Sequence, residues 1–561
     1  MTIAAEFSDG IDLSYSSTAH NIDLRGSSFP KGICLKGFQT QRSIFFKFPE
    51  EKPLPESPPE EFSQQDVCVQ EPSNDIKNHK GVRNYINLNE ARVDGVVEIK
   101  GDRTYQPMIR GIHNHPRIGM SAVYASIGSV NIEHVDLFDI DFENLTSTSV
   151  ALTSDYFCPL SQCWKAEAEP CSQAVASTAS LDGAKVAKSI VLDRSTFVCP
   201  LSATAVRVGG DISFRGTSML TFDLTGSQAD GDLISSVISS PDQTPDVRFV
   251  TWLKLPPSKT NALILDHASV NLLRVTPSSW PNASAKDNDG VVGWKAPPSE
   301  EIPGECSSVE RSRNDKQRPS LWSIFWRDWL YGKTYRPGTL VSMTDFHFKA
   351  FALPYYCLPS ESAHFFVKDN TLDADNIVHW LEVSKYSPSV FSLVQDLLKA
   401  SGQEYDARRI GFIDKSIQAQ LHWDDVKNGK IRAIPAIVVS TFTRWFIGYG
   451  YCIYAAATWA VVLLLFGTFV FWLIPSNGLV EDKQEDKVQN GKPTPKTPSL
   501  RSEISPLAYS FDMLLPLVKL RERHYEIKIK PWFPRTYFYV HKILGYVLGL
   551  FLLAGLSGLT R

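Results

Sequence analysis

Two groups of side chains in this sequence have the types that hold metals. His113-Asn114-His115 supplies two imidazoles, and Cys158, Cys163 and Cys171 supply three thiols at C-x4-C-x7-C spacing. Structural zinc sites are built from close pairs, typically C-x2-C, which bring two ligands onto one turn. Neither group has that spacing, and histidines at i and i+2 on a strand point to opposite faces. His113, His115, Cys158, Cys163 and Cys171 remain the candidate ligands, with no metal expected. Asp136, Asp139, Asp141 and Glu143 form an acidic run of the kind that suits a hard cation, and are read as a solvated loop.

Covalent and redox chemistry have even less to work with. The sequence contains no G-x-G-x-x-G, C-x-x-C, C-x-x-C-H, G-x-S-x-G, Walker lysine or H-E-x-x-H. Gly209-Gly210-Asp211 is not a phosphate loop, because no helical pattern follows it. No catalytic residue and no cofactor are expected, and the reading leans away from an enzyme. A formal net charge of −4 gives no basic footprint, so nucleic acid is not an expected partner. Nine scattered cysteines suit reduced buried thiols better than a disulfide framework. Residues 1–16 have neither a basic n-region nor an apolar h-region, so the N-terminal part is expected in the cytoplasm.

The elements around these groups read as mainly β. From about residue 10 to 275 short β-type runs end in Gly or Asp: Ile22–Gly26, Ile33–Gly37, Val96–Gly101, Ile190–Arg194, Ile212–Gly216, Phe222–Gly226 and Leu263–His267. Several alternate apolar and polar, as a strand with one buried face does. Gly209-Gly210-Asp211 is echoed by Asp230-Gly231-Asp232 about 21 residues on, and Phe157–Ser161 by Val198–Ser202 roughly two such repeats away. Strands recurring about every 20 residues predict a β-solenoid with pentapeptide or β-helix-like coils, the alternative being an antiparallel sandwich. This domain is placed at 1–275, with a proline-rich acidic insert at 50–80. A disordered insert follows at 276–320 and a mixed capping region at 321–384, whose segment Leu321–Tyr335 reads as a packed or membrane-surface helix.

An αα-hairpin is expected over 385–424. Ser387 is its N-cap, Pro388 its first helical residue and Gly402 its stop, with Val390, Leu393, Val394, Leu397 and Leu398 as an apolar stripe. Residues 425–561 read as a two-helix transmembrane anchor, with helices at about 452–475 and 541–560. The first run, Cys452–Pro475, has 24 uncharged residues and would reach roughly 36 Å, enough to cross a bilayer. The second, Ile543–Leu559, would reach only about 26 Å, at the lower edge of spanning length. Between them lies a loop with 12 Lys and Arg from Ser476 to Lys542. Trp445, Tyr451, Trp459, Trp472, Tyr537, Tyr539 and Lys542 are the expected interfacial anchors. Gly545 and Gly549 have the G-x-x-x-G spacing that lets helices approach, so a homo-oligomer through the membrane helices is also expected. Ile447-Gly448-Tyr449-Gly450 looks like a channel filter, but no spanning segment precedes it, and it reads as an aromatic hinge.

The coil RVGGDISFRG (Arg207–Gly216), the segment Tyr386–Ser416, the entry WFIGYGY (Trp445–Tyr451) and the tail Tyr509–Leu559 resemble a bacterial group of large β-solenoid membrane proteins often labelled membrane-associated oxidoreductase. The likeness covers most of 190–275 and 375–561, is weaker over 80–190 and is poor in the proline-rich inserts. It implies a solenoid on the inner membrane and, by its label, redox activity, for which these residues carry no flavin, haem, nicotinamide or dithiol signature. The expected role is a multi-pass, membrane-tethered binding, sensing or scaffold protein whose elongated β surface meets an unknown protein partner beside the lipid bilayer. A membrane-perturbing effector and the labelled oxidoreductase are the alternatives.

Overall fold

The computed structural model describes residues 10–27, 29, 32–47, 85–101, 117–153, 155–157, 179–235, 250–253, 255, 261–274, 280–281, 291–292, 338–351, 377, 380–381, 384–451, 453–475, 479–481, 504–514, 524 and 527–556. His113, His115, Cys158, Cys163, Cys171, most of both inserts and the segment Leu321–Tyr335 lie outside them. The chain divides into a β unit (Met1–Lys316 with Arg336–Gln403) and a helical unit (Gln317–Tyr335 with Glu404–Arg561).

The β unit consists of two large sheets of short strands, and their pairings are parallel apart from Trp252–Leu253 against Val291–Val292. The antiparallel sandwich is thereby excluded. Ser126 pairs with Thr146, Lys185 with Arg207 and Arg207 with Gln228, so partners recur at one nearly constant offset along the chain. One inward column runs unbroken through ten strands: Ile22, Ile44, Val97, Val130, Val150, Ile190, Ile212, Leu233, Leu273 and Phe351. All ten are buried. Each aliphatic side chain removed from water contributes about 1.5–3 kcal/mol, and β-branched Ile and Val suit a pleated, covered face. The column continues to Phe351, so the strand stack extends beyond residue 275.

The turns carry a second ladder. Tyr15, Glu90, Tyr124, Asn144, Ala205 and His267 all sit at φ between 54° and 60°, where an L-residue is strained. Each stacks on its equivalent in the next rung: Tyr15 N–H donates to the Lys36 carbonyl (2.8 Å), Asn144 N–H to Asp182 (2.7 Å) and Ala205 N–H to Thr225 (2.8 Å). Side chains tie the same corner. Asp182 Oδ1 accepts from Ser202 Oγ (2.6 Å) and Thr204 N–H (2.7 Å); Asp193 Oδ1 accepts from Ser213 Oγ (2.6 Å) and Arg215 N–H (2.9 Å). Asn89 and Asp266 bond Ser121 with Val123, and Ser342 with Thr344, in the same way. Asn89, Asp182, Asp193 and Asp266 thus each tie one turn to the next, whereas Asp12, Asp23, Asp141 and Asp223 bond within their own turn.

Two sequence expectations are revised by register. Phe157 pairs directly with Phe197, their rings stacked at 4.1 Å, so the longer echo of the sequence spans neighbouring strands rather than two repeats. Cys34 and Cys199, expected as reduced thiols, are each buried and each in a disulfide. The end of the stack is closed by aromatic rings: Trp380 lies 5.3 Å from Trp280 and 5.5 Å from Phe351. Helix α1 (Pro388–Ala400) packs on the last strand, His347–Phe351, burying Val390, Phe391, Val394 and Leu398. Such a cover shields an otherwise open sheet edge. Helix α2 (Glu404–Lys427), expected as the partner of α1, belongs to the helical unit. Leu397, read as part of the stripe, is only half-buried, and Phe391 takes the core position instead.

Inside the β unit Asp155 is 2% exposed. Its Oδ1 accepts from Val135 N–H (2.9 Å), and its own N–H donates to Ser195 Oγ (3.2 Å), but Oδ2 has no partner. Burial pushes the carboxyl well above the ordinary carboxylate range, and the charges of Asp136 and Glu133 push the same way, against the Val135 hydrogen bond. The folded chain therefore keeps a proton that the unfolded chain releases above about pH 3.9, and stability falls as pH rises through that value toward the folded pKa. Asp155→Asn is expected to flatten this fall. Thermal unfolding of the detergent-solubilised chain, followed by circular dichroism from pH 4 to 8, should show a smaller loss of Tm in the variant; an unchanged slope would refute the assignment.

Candidate functional site

The helical unit places a group of paired polar side chains beside an exposed apolar face. Helix α3 (Ile434–Ile447) ends at Gly448, and Gly448, Tyr449 and Gly450 are consecutively left-handed (φ 51°, 56° and 90°), turning the chain into helix α4 (Ile453–Leu473). The expected aromatic hinge is thus a fixed turn, with Tyr449 against Phe412 of α2 at 5.6 Å. Helix α5 (Pro506–Leu514) lies against both α4 and helix α6 (Trp532–Leu556), and strand Leu479–Glu481 pairs antiparallel with Ile527–Ile529. Met513 and Leu514 are buried in this packing.

Two glycines make room for α5. A Cβ on Gly467 of α4 would collide with Ser510 Oγ, and one on Gly545 of α6 would collide with the Leu514 carbonyl oxygen. Gly545 therefore serves an approach within the chain, whereas Gly549 has open space beside it. Around α5 the polar groups are paired. Ser510 Oγ donates to the Leu464 carbonyl (2.9 Å), His541 Nε2 meets the Ser510 carbonyl (3.2 Å), and His541 Nδ1 meets the Tyr537 hydroxyl (3.0 Å). Asp512 and His524 form a buried pair, Oδ2 to Nδ1 at 2.6 Å, with exposures of 0% and 1%. The carboxylate holds the imidazole in one orientation, and Nε2 is left without a hydrogen-bond partner. No spacing signal marks this pair, whose members are separated along an otherwise basic loop.

The outward faces are apolar. On α4 Val461, Leu465, Phe469 and Trp472 are each more than half exposed, and Tyr539, Ile543 and Leu550 do the same on α6. The stretch Ala456–Leu473 is, among the described residues, the one helical segment long and apolar enough to cross a membrane. A second spanning helix, expected over 541–560, is not found among the described residues, which end at Leu556: α6 begins at Trp532 and carries Arg535, His541 and Lys542 in its first half. The expected anchors divide accordingly. Trp445, Trp472 and Tyr539 are exposed. Trp459 is half-buried and donates from Nε1 to the Trp445 carbonyl (2.8 Å); Tyr451 and Lys542 are half-buried as well. Tyr537 turns inward to His541.

The β unit offers a different surface. Ser126, Thr146, Lys185, Arg207, Gln228, Ser269 and His347 follow one another in register on one sheet. Beside the two cations opens a depression of about 360 Å³, lined by Thr146, Ser147, Val186, Gly209 and Gln228 among others. Sequence reading missed this column, although the repeat it identified places Lys185 and Arg207 one rung apart. No group of three or more His, Cys, Asp or Glu side chains that would hold a metal occurs among the described residues.

The close approach at α5 gives a paired test. Gly545→Ala forces a methyl group against a backbone carbonyl and should cost about 1–3 kcal/mol. Gly549→Ala, in open space, should be neutral or gain up to about 1 kcal/mol from helix propensity. Thermal unfolding of both variants in the same detergent decides: equal midpoints would mean that α5 does not sit on α6.

Comparison with protein-family models, with curated proteins and with solved structures finds no significant match to this chain, so its role is argued from its own geometry.

Proposed function

We propose that this chain is a membrane-tethered binding or scaffold protein: the helical unit is the tether, and the β unit is a β-solenoid that presents an extended polar face to a protein partner. The observation that carries the tether is the outward face of α4, where Val461, Leu465, Phe469 and Trp472 stand exposed along a helix of membrane-crossing length. Water-soluble surfaces rarely leave such a contiguous apolar area uncovered. The exposed side chains of α3 and α6 extend it, while Ser510 and His541 turn inward around α5 and find hydrogen-bond partners there, as a hydrocarbon environment favours.

The solenoid reading rests on the nearly constant offset between paired strands, on parallel pairing throughout the repeat and on short strands that recur in quick succession from Ala179 to Ile234. Flat ladders of this kind supply long surfaces rather than enclosed cavities, which suits recognition of an extended partner.

Membrane fractionation tests the tether. The full chain should stay in the pellet after an alkaline carbonate wash. Replacing Leu465 and Phe469 by lysine adds about 2.5–3.5 kcal/mol per charge at the helix centre and should release much of it. Release of the unaltered chain by the wash would sink the proposal.

A further inference from the structure

Lys185 and Arg207 occupy directly paired positions on adjacent parallel strands, Lys185↔Arg207, with Thr146 before them and Gln228 after. Like charges placed opposite each other on neighbouring strands repel. Several other cations on the β unit are answered by carboxylates: Arg215 reaches Asp193 at 2.6 Å, Arg274 reaches Asp232 at 2.5 Å and Arg92 reaches Asp94 at 3.2 Å. In the cationic column Arg25–Lys47–Lys100 the two ends pair with Asp23 and Glu98 of their own strands. Neither Lys185 nor Arg207 has an ion-pair partner among the described residues; Asp230, which also lines the depression, is beyond ion-pair distance. Two exposed cations in contact register without a counter-charge are a cost that a bound anion removes.

The surroundings select the kind of anion. Strand spacing sets the two side chains about 4.8 Å apart at their roots, so one group with two oxygens can bridge an ammonium and a guanidinium. Phosphate sites recruit backbone N–H groups from helix N-termini or nests. Here those groups are already used: the N–H groups of Lys185, Ala187, Arg207, Gly209, Gln228 and Asp230 all donate to carbonyls of neighbouring strands. Recognition must therefore come from side chains, two of them charged. Ala187 and Gly209 keep the depression open beside the cations, and a Cβ on Gly209 would collide with the Ala187 carbonyl, so this opening is fixed by the backbone.

We infer that Lys185 and Arg207 together bind a side-chain carboxylate of an acidic segment in a protein partner, with Thr146 and Gln228 flanking the acidic group in the same column. This rests on the reading of the β unit as a partner-binding surface and adds the chemistry of the partner.

The test uses the full chain in detergent and a fluorescein-labelled decapeptide with glutamate at every third position among glycine and serine, read by fluorescence anisotropy. The unaltered chain should bind, more weakly as salt rises, and should ignore the same peptide with glutamine for glutamate. Lys185→Gln and Arg207→Gln should each weaken binding about tenfold, and the double variant should abolish it. Lys349→Gln, an exposed strand cation elsewhere, should change nothing. Unchanged circular dichroism will show that these surface variants remain folded. Equal binding by the double variant, or no binding by the unaltered chain at low salt, overturns the inference. So does a phosphopeptide or inorganic phosphate that binds at Lys185 and Arg207 when the glutamate peptide does not. A chain that holds to membranes yet fails here loses only the carboxylate site, whereas a chain that binds the peptide but washes off membranes loses only the tether.

Discussion

The β unit depends on the strand-to-strand register more than on any single contact. A very short strand makes too few hydrogen bonds to hold its place alone, so each rung is positioned by the rungs on either side. Register is enforced three times over: by the inward column from Ile22 to Phe351, by the backbone ladder that continues through the turns, and by Asp or Asn side chains that reach to the next corner. The left-handed residues at those corners would be strained singly, but stacking gives each N–H a carbonyl at hydrogen-bond distance. The same register sets side chains of successive rungs in columns on the outside, and so creates the Lys185–Arg207 pair. Surface chemistry here is a by-product of core geometry.

The helical unit solves the opposite problem. On α4 and α6 the outer residues are largely apolar, and polar groups gather on the inner side around α5. Helix α5 lies close against α4 and α6 at two glycines, which brings Ser510 to the Leu464 carbonyl and His541 to the Ser510 carbonyl. The Asp512–His524 pair departs from that economy, since one imidazole nitrogen is buried and unused. Removing either partner would leave the other buried with its charge or dipole uncompensated, so the pair is costly to break whatever it does.

How legible all this was depended on distance along the chain. The local signals held. The β-type runs at Ile22, Ile33, Ile190, Ile212, Phe222 and Leu263 are strands, and Ser387, Pro388 and Gly402 bracket α1 as their conformational preferences require. Features that join distant residues were not legible. Nothing in the stripe of α1 says whether it faces α2 or the last strand, since both surfaces are apolar, and Phe391 rather than Leu397 decides which face is buried. The G-x-x-x-G spacing indicated close approach correctly at Gly545 but could not say that the neighbour is α5 of the same chain. The disulfide-bonded Cys34 and Cys199 belong to scattered cysteines whose pairing no spacing encodes.

Interruptions in the repeat explain why register, rather than period, carries the fold. Val150 pairs with Ile190 and Leu273 with Phe351, at offsets far beyond the usual one, yet the inward column is unbroken. Closing a longer loop adds only about 0.6 kcal/mol for each doubling of its length. Losing one aliphatic contact from the column costs more than that. Insertions between rungs are therefore tolerated wherever the next strand returns to its place, and the strands can vary in sequence outside while the inside stays Ile, Val or Leu. That asymmetry frees the exposed columns to diverge, so unpaired charges at Lys185 and Arg207 are not demanded by the fold. The proposed carboxylate partner would supply the missing counter-charge.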